Sequence, residues 1–391
     1  MIERDFLIIG AGIAGASVCE GIRAYNTTSS VTLVGNESFL PYYRPPLSLE
    51  GLSNESFSSD SLLVHPQEWY DTNHVEVRLH SVVTAFNLER KVAVLSSGQA
   101  IHFGKACLAT GSRAFRPPIG GANLGNVFYL KTLRELLAIR ETAPTCENVV
   151  VVGNTALACE VSLALQHFNC NVTLLNRDHY FFQNVLDAET GNWLSDYLSR
   201  KGIRLMLNEN INGFEGKTLL RNIQTKSGTR FPCAMAIVAM GEELNMELVR
   251  NTPLSGGTGT PVTETLETEE KGIYAVGDIA LFPDKIYGGT RRISNPEIAR
   301  AQGLLAGGNM TGKRRQKFEC VPWTHSQIGE LSLDFIGDFS RPPVRFDLIG
   351  NREDNHFVIQ YYQGPMLVGM LLCNQPAAEV SRLRAEFRPG K

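Results

Sequence analysis

The chain lacks the cysteine spacings that carry thiol redox or zinc chemistry. Its eight cysteines are Cys19, Cys107, Cys146, Cys159, Cys170, Cys233, Cys320 and Cys373, and none forms a CxxC or another zinc-like pair. No metal site is expected, and several of these thiols lie in apolar runs, where cysteine acts as a small hydrophobe. No stretch approaches the roughly 18 apolar residues of a membrane span. The N-terminus reads as an apolar strand and not as a leader, because a glycine-rich turn stands where the leader's apolar helix would be. Charge of one sign is also missing: the formal net charge is −3, which excludes an electrostatic case for nucleic acid or an anionic membrane. There is no low-complexity segment. What remains is an ordinary globular composition of 391 residues, 43% hydrophobic and 20% charged, long enough for two or three domains. The scattered thiols point to a reducing, cytoplasmic setting.

What is present is organised around Asp5 to Glu37. Phe6 to Ile9 reads as a buried strand, Gly10-x-Gly12-x-x-Gly15 as a turn, and the following residues as a helix through Ile22. Val31 to Val34 is a second strand, with Glu37 just beyond it. This is the context in which such glycines bind a dinucleotide. Gly10 permits the tight turn, Gly12 admits a pyrophosphate, and Gly15 lets the helix pack closely. The helix N-terminus offers N–H groups to the phosphates, and Glu37 can accept from a ribose. Downstream, Arg44-Pro45-Pro46 is stiff, and Arg44 is well placed for a phosphate or a flavin edge. Residues 50–60 read as an exposed connection. Val75 to Leu79 alternates as a strand, and Lys91 to Leu95 is expected to pair with it around Gly98.

The strand-turn-helix pattern returns. Asn148 to Val152 and Val172 to Leu175 read as strands, Gly153 to Ala158 as the turn, and Glu160 to Phe168 as the helix. Here the middle glycine is Thr155, whose side chain is expected to crowd a pyrophosphate. The second strand is followed by Asn176 and Arg177 in place of an acid. Arg177 suits a 2′-phosphate, so NADPH is favoured over NADH. Alternatively the unit keeps its fold and binds nicotinamide weakly or not at all. Cys233 to Gly241 reads as the strand by which the chain returns to the first domain. A helix is expected from Asn295, strands at Leu331–Ile336, Val344–Leu348, His356–Tyr362 and Met366–Leu372, and a helix at Ala377–Phe387.

Four stretches, Gly10–Glu37, Tyr43–Ser48, Ala109–Arg113 and Ile273–Asp278, recur in an order that resembles the FAD-dependent pyridine-nucleotide oxidoreductases. Within them the chain is similar to the ferredoxin-reductase branch, with putidaredoxin reductases, rubredoxin reductases and apoptosis-inducing-factor relatives. The resemblance implies an α/β fold with two Rossmann-like domains, the second inserted in the first, and a small α+β C-terminal domain. The expected boundaries are 1–115 with 232–312 for FAD, 116–231 for NAD(P), and 313–391 for the C-terminal interface domain. It implies electrons passing from NAD(P)H through FAD to a redox protein or metalloenzyme, and a possible homodimer. Asp278 inherits a place beside the ribityl chain. The expected FAD set further comprises Gly10, Gly12, Ala14 and Gly15, with Glu37, Arg44, Pro45 and Val77. Ala109, Thr110, Gly111 and Arg113 complete it with Gly277 and Gly241. Gly153, Thr155 and Arg177 form the nicotinamide set, and Trp323 and His325 the C-terminal contribution. Glu160 matches the family residue near nicotinamide and flavin and is the candidate catalytic group. The family lysine that pairs with it is Leu49 here, so a raised carboxylate pKa is expected. His325 stands where the family has tryptophan, as a flavin-side proton donor or as a hydrogen-bonded structural histidine. Disulfide reduction needs a redox cysteine pair, or a single cysteine near residues 39–44. The chain offers Cys19 alone on the first helix and Tyr42-Tyr43 in the other place. The competing reading is a flavin-bearing electron-transfer or assembly subunit with a decayed nicotinamide site.

Overall fold

The computed structural model describes residues 2–340 and 344–388. It divides into two compact units. One is Met1–Pro45, Ser58–Arg113 and Glu243–Cys320; the other is Pro46–Phe57, Ala114–Glu242 and Val321–Lys391.

In the first unit, Phe6–Ile9 forms the buried half of a strand that spans Ile2–Ile9. The strand lies parallel between Val31–Val34 and Ala100–Leu108, and its last four residues are all buried because both of its faces are covered there. Ile273–Ala275 adds in parallel beside Ala100–Leu108. The expected pairing of Lys91–Leu95 with Val75–Leu79 is corrected. Val75–Arg78 runs parallel to Val31–Val34 at one edge, and Val92–Leu95 pairs antiparallel with Val83–Asn87 and with Ala100–Leu108. The turn at Gly98, held by its N–H on the Leu95 carbonyl, joins the strand before it to the strand after it, so the hairpin closes locally. The helix Ile13–Arg23 packs on the helix Pro296–Met310 with almost no side chain between them. A Cβ on Gly303 would lie 2.5 Å from the Ala14 carbonyl oxygen, and one on Gly307 2.3 Å from that of Val18. The second helix starts at Pro296, with the Asn295 side chain accepting from the Ile298 N–H.

The second unit holds a parallel sheet in the order Arg204–Met206, Asn171–Leu175, Asn148–Val152, Met235–Val238, Val127–Phe128. The run from Cys233 is thereby corrected. Met235–Val238 is fully buried between two strands of this sheet and does not join the sheet of the first unit. The helix expected from Glu160 begins a turn earlier, at Ala156, and ends at Leu165, because Thr155 caps it. Residues 50–60 are not wholly an exposed connection: Glu50–Ser53 is a helical turn that buries Gly51 and Leu52, and Arg140 donates to the Asn54 carbonyl. The C-terminal portion is an antiparallel sheet in the order Trp323–Ile328, Leu331–Gly337, Met366–Cys373, His356–Gln363, Arg345–Asn351, followed by a helix at Ala377–Glu386.

Candidate functional site

In the first unit the glycines of the N-terminal turn differ physically. Gly10 has φ +117°, and a Cβ there would sit 2.0 Å from the Ala109 carbonyl oxygen. A Cβ on Gly15 would sit 1.9 Å from the Gly10 carbonyl oxygen. These two positions are closed by the protein's own backbone. Gly12 is open: nothing lies within 4 Å of its Cβ direction, and it caps the helix in an extended conformation without a side-chain bond. The helix N-terminus therefore faces free space, the cradle that a pyrophosphate needs.

The other expected residues of this unit gather at the same end of the parallel strands. Gly277 opens a short turn, and its Cβ direction lies 3.2 Å from the Ala14 methyl. Ser112 donates to Asp278 at 2.5 Å, and the Gly111 Cβ direction points at the same carboxylate at 4.0 Å. Thr110 and Asn245 exchange bonds of 2.8 Å through side chain and carbonyl, which fixes the strand end after Ala109. Glu37 accepts from Tyr42 at 2.6 Å and from Arg44 at 2.6 Å. Burial works against the Arg44 charge, but Tyr42, Glu37 and Asp278 outweigh it and hold the guanidinium pKa above its ordinary value. Arg44 is thus oriented by Glu37, and Pro45 stiffens the chain after it. Val77 lies opposite Leu33 in the strand whose last carbonyl, on Arg78, accepts from Gly35. Arg113 is turned to ion pairs with Glu243 at 2.9 Å and Glu247 at 2.6 Å, and bonds the Asn245 side chain. Sequence reasoning missed Gln302. It is buried, takes the Gly277 N–H at 2.8 Å, and leaves its own amide nitrogen without a partner among the described residues.

In the second unit, a cleft of about 170 Å³ opens at the second turn, lined among others by Gly153, Asn154, Thr155, Arg177 and Asp178. Gly153 is closed like Gly10: a Cβ would sit 2.2 Å from the Ala239 carbonyl oxygen. The crowding expected of Thr155 takes another form. Its hydroxyl folds back to donate to the Ala239 carbonyl at 3.1 Å and accepts from the Ala158 N–H at 3.2 Å. It removes one helix N–H from the set a phosphate would use. Asn176 is fully buried and outside the cleft lining; its side-chain oxygen accepts from the Asp178 N–H, and its side-chain nitrogen has no partner among the described residues. The acid that the sequence lacks at Asn176 stands two residues later. Asp178 lines the cleft, bonded by Asn154, with Arg177 Nε 3.7 Å away. Gly241, with φ +106°, accepts from the Phe115 N–H.

Glu160 is not left alone. Ser48 donates to it at 2.5 Å, and the Gln327 N–H adds a second bond. Burial raises its pKa; Ser48, Gln327 and the field of His325 pull it back only in part. His325 Nδ1 stands 3.1 Å from Asp334, its direct cross-strand neighbour, and Trp323 donates to the same carboxylate at 3.0 Å. The Asp334 bond, opposed by burial and aided by Glu160, raises the His325 pKa. The structure therefore gathers Glu160, Ser48, His325 and Asp334 around the side of the helix Ala156–Leu165 that packs on Trp323–Ile328. Ser48 and Asp334 were missed. The signal for Asp334 was an acid inside the apolar run Leu331–Ile336.

Two dinucleotide-type turns, each at the C-terminal ends of a parallel sheet, define a two-Rossmann oxidoreductase. The pyridine nucleotide-disulphide oxidoreductase family model matches residues 4–303, and the chain belongs to that family. It is similar to the ferredoxin–NAD(+) reductase component of a biphenyl dioxygenase system from Paraburkholderia xenovorans, with 29% identity over 86% of this chain and 81% of the relative. Putidaredoxin reductase of Pseudomonas putida is 27% identical over 95% of this chain and 89% of its own length. The crystal structure of a covalent putidaredoxin reductase–putidaredoxin complex superposes with a TM-score of 0.92, at 26% identity, covering 98% of this chain and 93% of that one. The family name notwithstanding, no disulfide joins any of the eight cysteines among the described residues, and all but Cys320 are buried. Burial lifts the Cys170 thiol to about 11 and the Cys19 thiol to about 12.

Proposed function

We propose that the chain is an FAD-dependent NAD(P)H oxidoreductase that delivers electrons to a small redox protein of the ferredoxin, putidaredoxin or rubredoxin kind. The observation that carries this reading is the open Gly12 cradle between two glycines locked by backbone. When bound, FAD supplies the conversion of a two-electron hydride donor into single electrons. The first helix's N–H groups would hold its pyrophosphate and Asp278 would meet its ribityl hydroxyls, with Arg44 oriented by Glu37 at the rim. The division into FAD-binding (1–115, 232–312), nicotinamide-binding (116–231) and C-terminal interface (313–391) domains belongs to the same proposal.

In the second cleft, Asp178 favours the 2′-hydroxyl of NADH and Arg177 the 2′-phosphate of NADPH, so these two neighbours set the coenzyme choice. Glu160, protonated more readily than an ordinary carboxylate, donates or accepts at the nicotinamide side, with Ser48 fixing its orientation. The relatives' names, with ferredoxin and NAD(+) in them, support the same direction of electron flow. The bonds that tie Thr155 to the Ala239 carbonyl and to the Ala158 N–H of its own helix favour the second reading, a flavin-bearing subunit with a weakened nicotinamide site.

Anaerobic titration of the yellow protein with NADH and with NADPH decides between them. Bleaching by either, followed by reoxidation with a ferredoxin, supports the reductase. A flavin reduced by dithionite but by neither nucleotide supports the subunit. A purified protein without bound flavin, and unable to take up added FAD, overturns both.

A further inference from the structure

The strands Asn148–Val152 and Asn171–Leu175 lie side by side with Val152 opposite Leu175, so the segments that follow them meet at one end of the sheet. Asn154 follows the first strand, Asp178 follows the second, and both line the second cleft. Three bonds hold Asp178. Its N–H donates to the Asn176 side-chain oxygen at 2.9 Å, its carbonyl accepts from the Asn208 N–H at 3.1 Å, and the Asn154 amide donates to its carboxylate. Among the described residues no other hydrogen bond reaches that carboxylate. Arg177 Nε, at 3.7 Å, is too distant for one, and its side chain is 60% exposed against 17% for Asp178.

An asparagine side chain can turn either its nitrogen or its oxygen toward a neighbour, and here the choice is made from the far side. The Asn154 oxygen accepts from the Phe182 N–H at 2.8 Å, which leaves the nitrogen to face Asp178. Phe182 presents that N–H from a left-handed conformation, φ +56°, which a non-glycine residue adopts at a cost. Its carbonyl accepts from the N–H groups of Val185 at 2.7 Å and Leu186 at 2.8 Å, so the loop that carries it is itself tied down. The Asp178 carboxylate is thus aimed by the protein yet keeps lone pairs for a donor that enters the cleft. A ribose 2′-hydroxyl is such a donor. A 2′-phosphate instead brings negative charge against Asp178, and among the described residues of the lining only Arg177 is a cation to offset it.

We propose that Asn154 is a positioning residue for coenzyme choice: it holds Asp178 ready to accept from a 2′-hydroxyl, and so makes the second cleft select the coenzyme without a 2′-phosphate. This rests on the nicotinamide reading of that cleft. The test is calorimetric titration of the full-length protein with the oxidised coenzymes NAD+ and NADP+, and with NAD+ lacking the adenosine 2′-hydroxyl. The parent is expected to bind NAD+ more tightly than NADP+, and to bind the deoxy form about threefold to tenfold more weakly than NAD+, the worth of one hydrogen bond. Asn154→Ala is expected to lower the NAD+ to NADP+ affinity ratio by a similar factor and to shrink the penalty for the missing hydroxyl. In an Asp178→Asn background the same substitution should leave the ratio unmoved, because it acts through Asp178. A purely structural tether would weaken both coenzymes alike, so an unchanged ratio in Asn154→Ala overturns the proposal. So does a further fall of the ratio in the Asp178→Asn background. A parent that prefers NADP+, or that binds the deoxy form as well as NAD+, overturns it without any variant. A parent that binds none of the three overturns the nicotinamide reading itself, and the proposal with it.

Discussion

Replacing Gly12 or Gly15 with alanine should separate ligand binding from folding. At Gly12 the backbone is extended, with φ −94° and ψ −172°, and the new methyl meets no atom within 4 Å. Its effects on the flavin-free protein nearly cancel. Alanine restricts the unfolded chain, worth about 0.4–1 kcal/mol, and is a poorer N-cap than glycine by about the same amount. The flavin-free urea midpoint should therefore hardly move. The methyl nonetheless occupies the cradle. Displacing the pyrophosphate from one charge-assisted bond of about 1.5–3 kcal/mol weakens FAD by roughly tenfold to a hundredfold or somewhat more. At Gly15 the methyl would lie 1.9 Å from a backbone oxygen. Overpacking of that kind costs about 1–3 kcal/mol or more, so the flavin-free protein itself loses stability. The assay is urea unfolding of the stripped proteins beside a fluorescence titration with FAD. A Gly12→Ala protein that binds FAD as the parent does, or that unfolds as early as Gly15→Ala, refutes the reasoning.

Three further outcomes are expected. Glu160 and His325 both hold protons more tightly when folded, so each contribution to stability falls as pH rises, for Glu160 from the ordinary carboxylate value upward and for His325 from the ordinary imidazole value upward. Urea midpoints measured against pH should lose the lower part of this decline in Glu160→Gln and the upper part in His325→Gln; difference profiles that are flat would sink the assignment. Arg177→Ala should weaken NADPH by about one to two orders of magnitude and spare NADH, while Asp178→Asn should do the reverse; stopped-flow flavin reduction with each coenzyme checks both, and unchanged NADPH kinetics in Arg177→Ala rejects the role. Denatured samples should titrate eight free thiols before and after reduction by dithionite; a deficit of two in the oxidised protein would restore disulfide chemistry.

The parts of this fold that could be read in the sequence are those fixed within about thirty residues. The turn from Gly10 to Gly15, the strands Val31–Val34 and Asn148–Val152, and the four C-terminal strands announce themselves by local pattern. Pairing was less legible, because a strand such as Met235–Val238 looks the same from either sheet; only the neighbours that cover it decide. The surroundings of Glu160 were illegible for a similar reason. Ser48, Gln327 and His325 reach it from two distant segments, with Asp334 behind His325 on a third, and the missing lysine at Leu49 gave no hint that a histidine would stand nearby. The acid of the second cleft was overlooked because a buried Asn176 moves it two residues along, to Asp178.

The glycine-faced helix pair of the first unit has a consequence for how the protein is made. Its two members are separated by the long stretch from Arg23 to Pro296, and each supplies bare backbone to the other. On the ribosome, the N-terminal turn emerges long before Gly303 and Gly307 exist to seat its helix, and the second unit's parallel sheet is complete in between. Such distant contacts form late. The first unit should therefore wait, with its glycine turn unformed, until synthesis has passed Met310. A fragment ending at Thr290 should show the parallel sheet within Val127–Val238 protected from hydrogen exchange and the segment Ile2–Arg23 unprotected, and a protected N-terminal helix in that fragment would contradict this order of assembly.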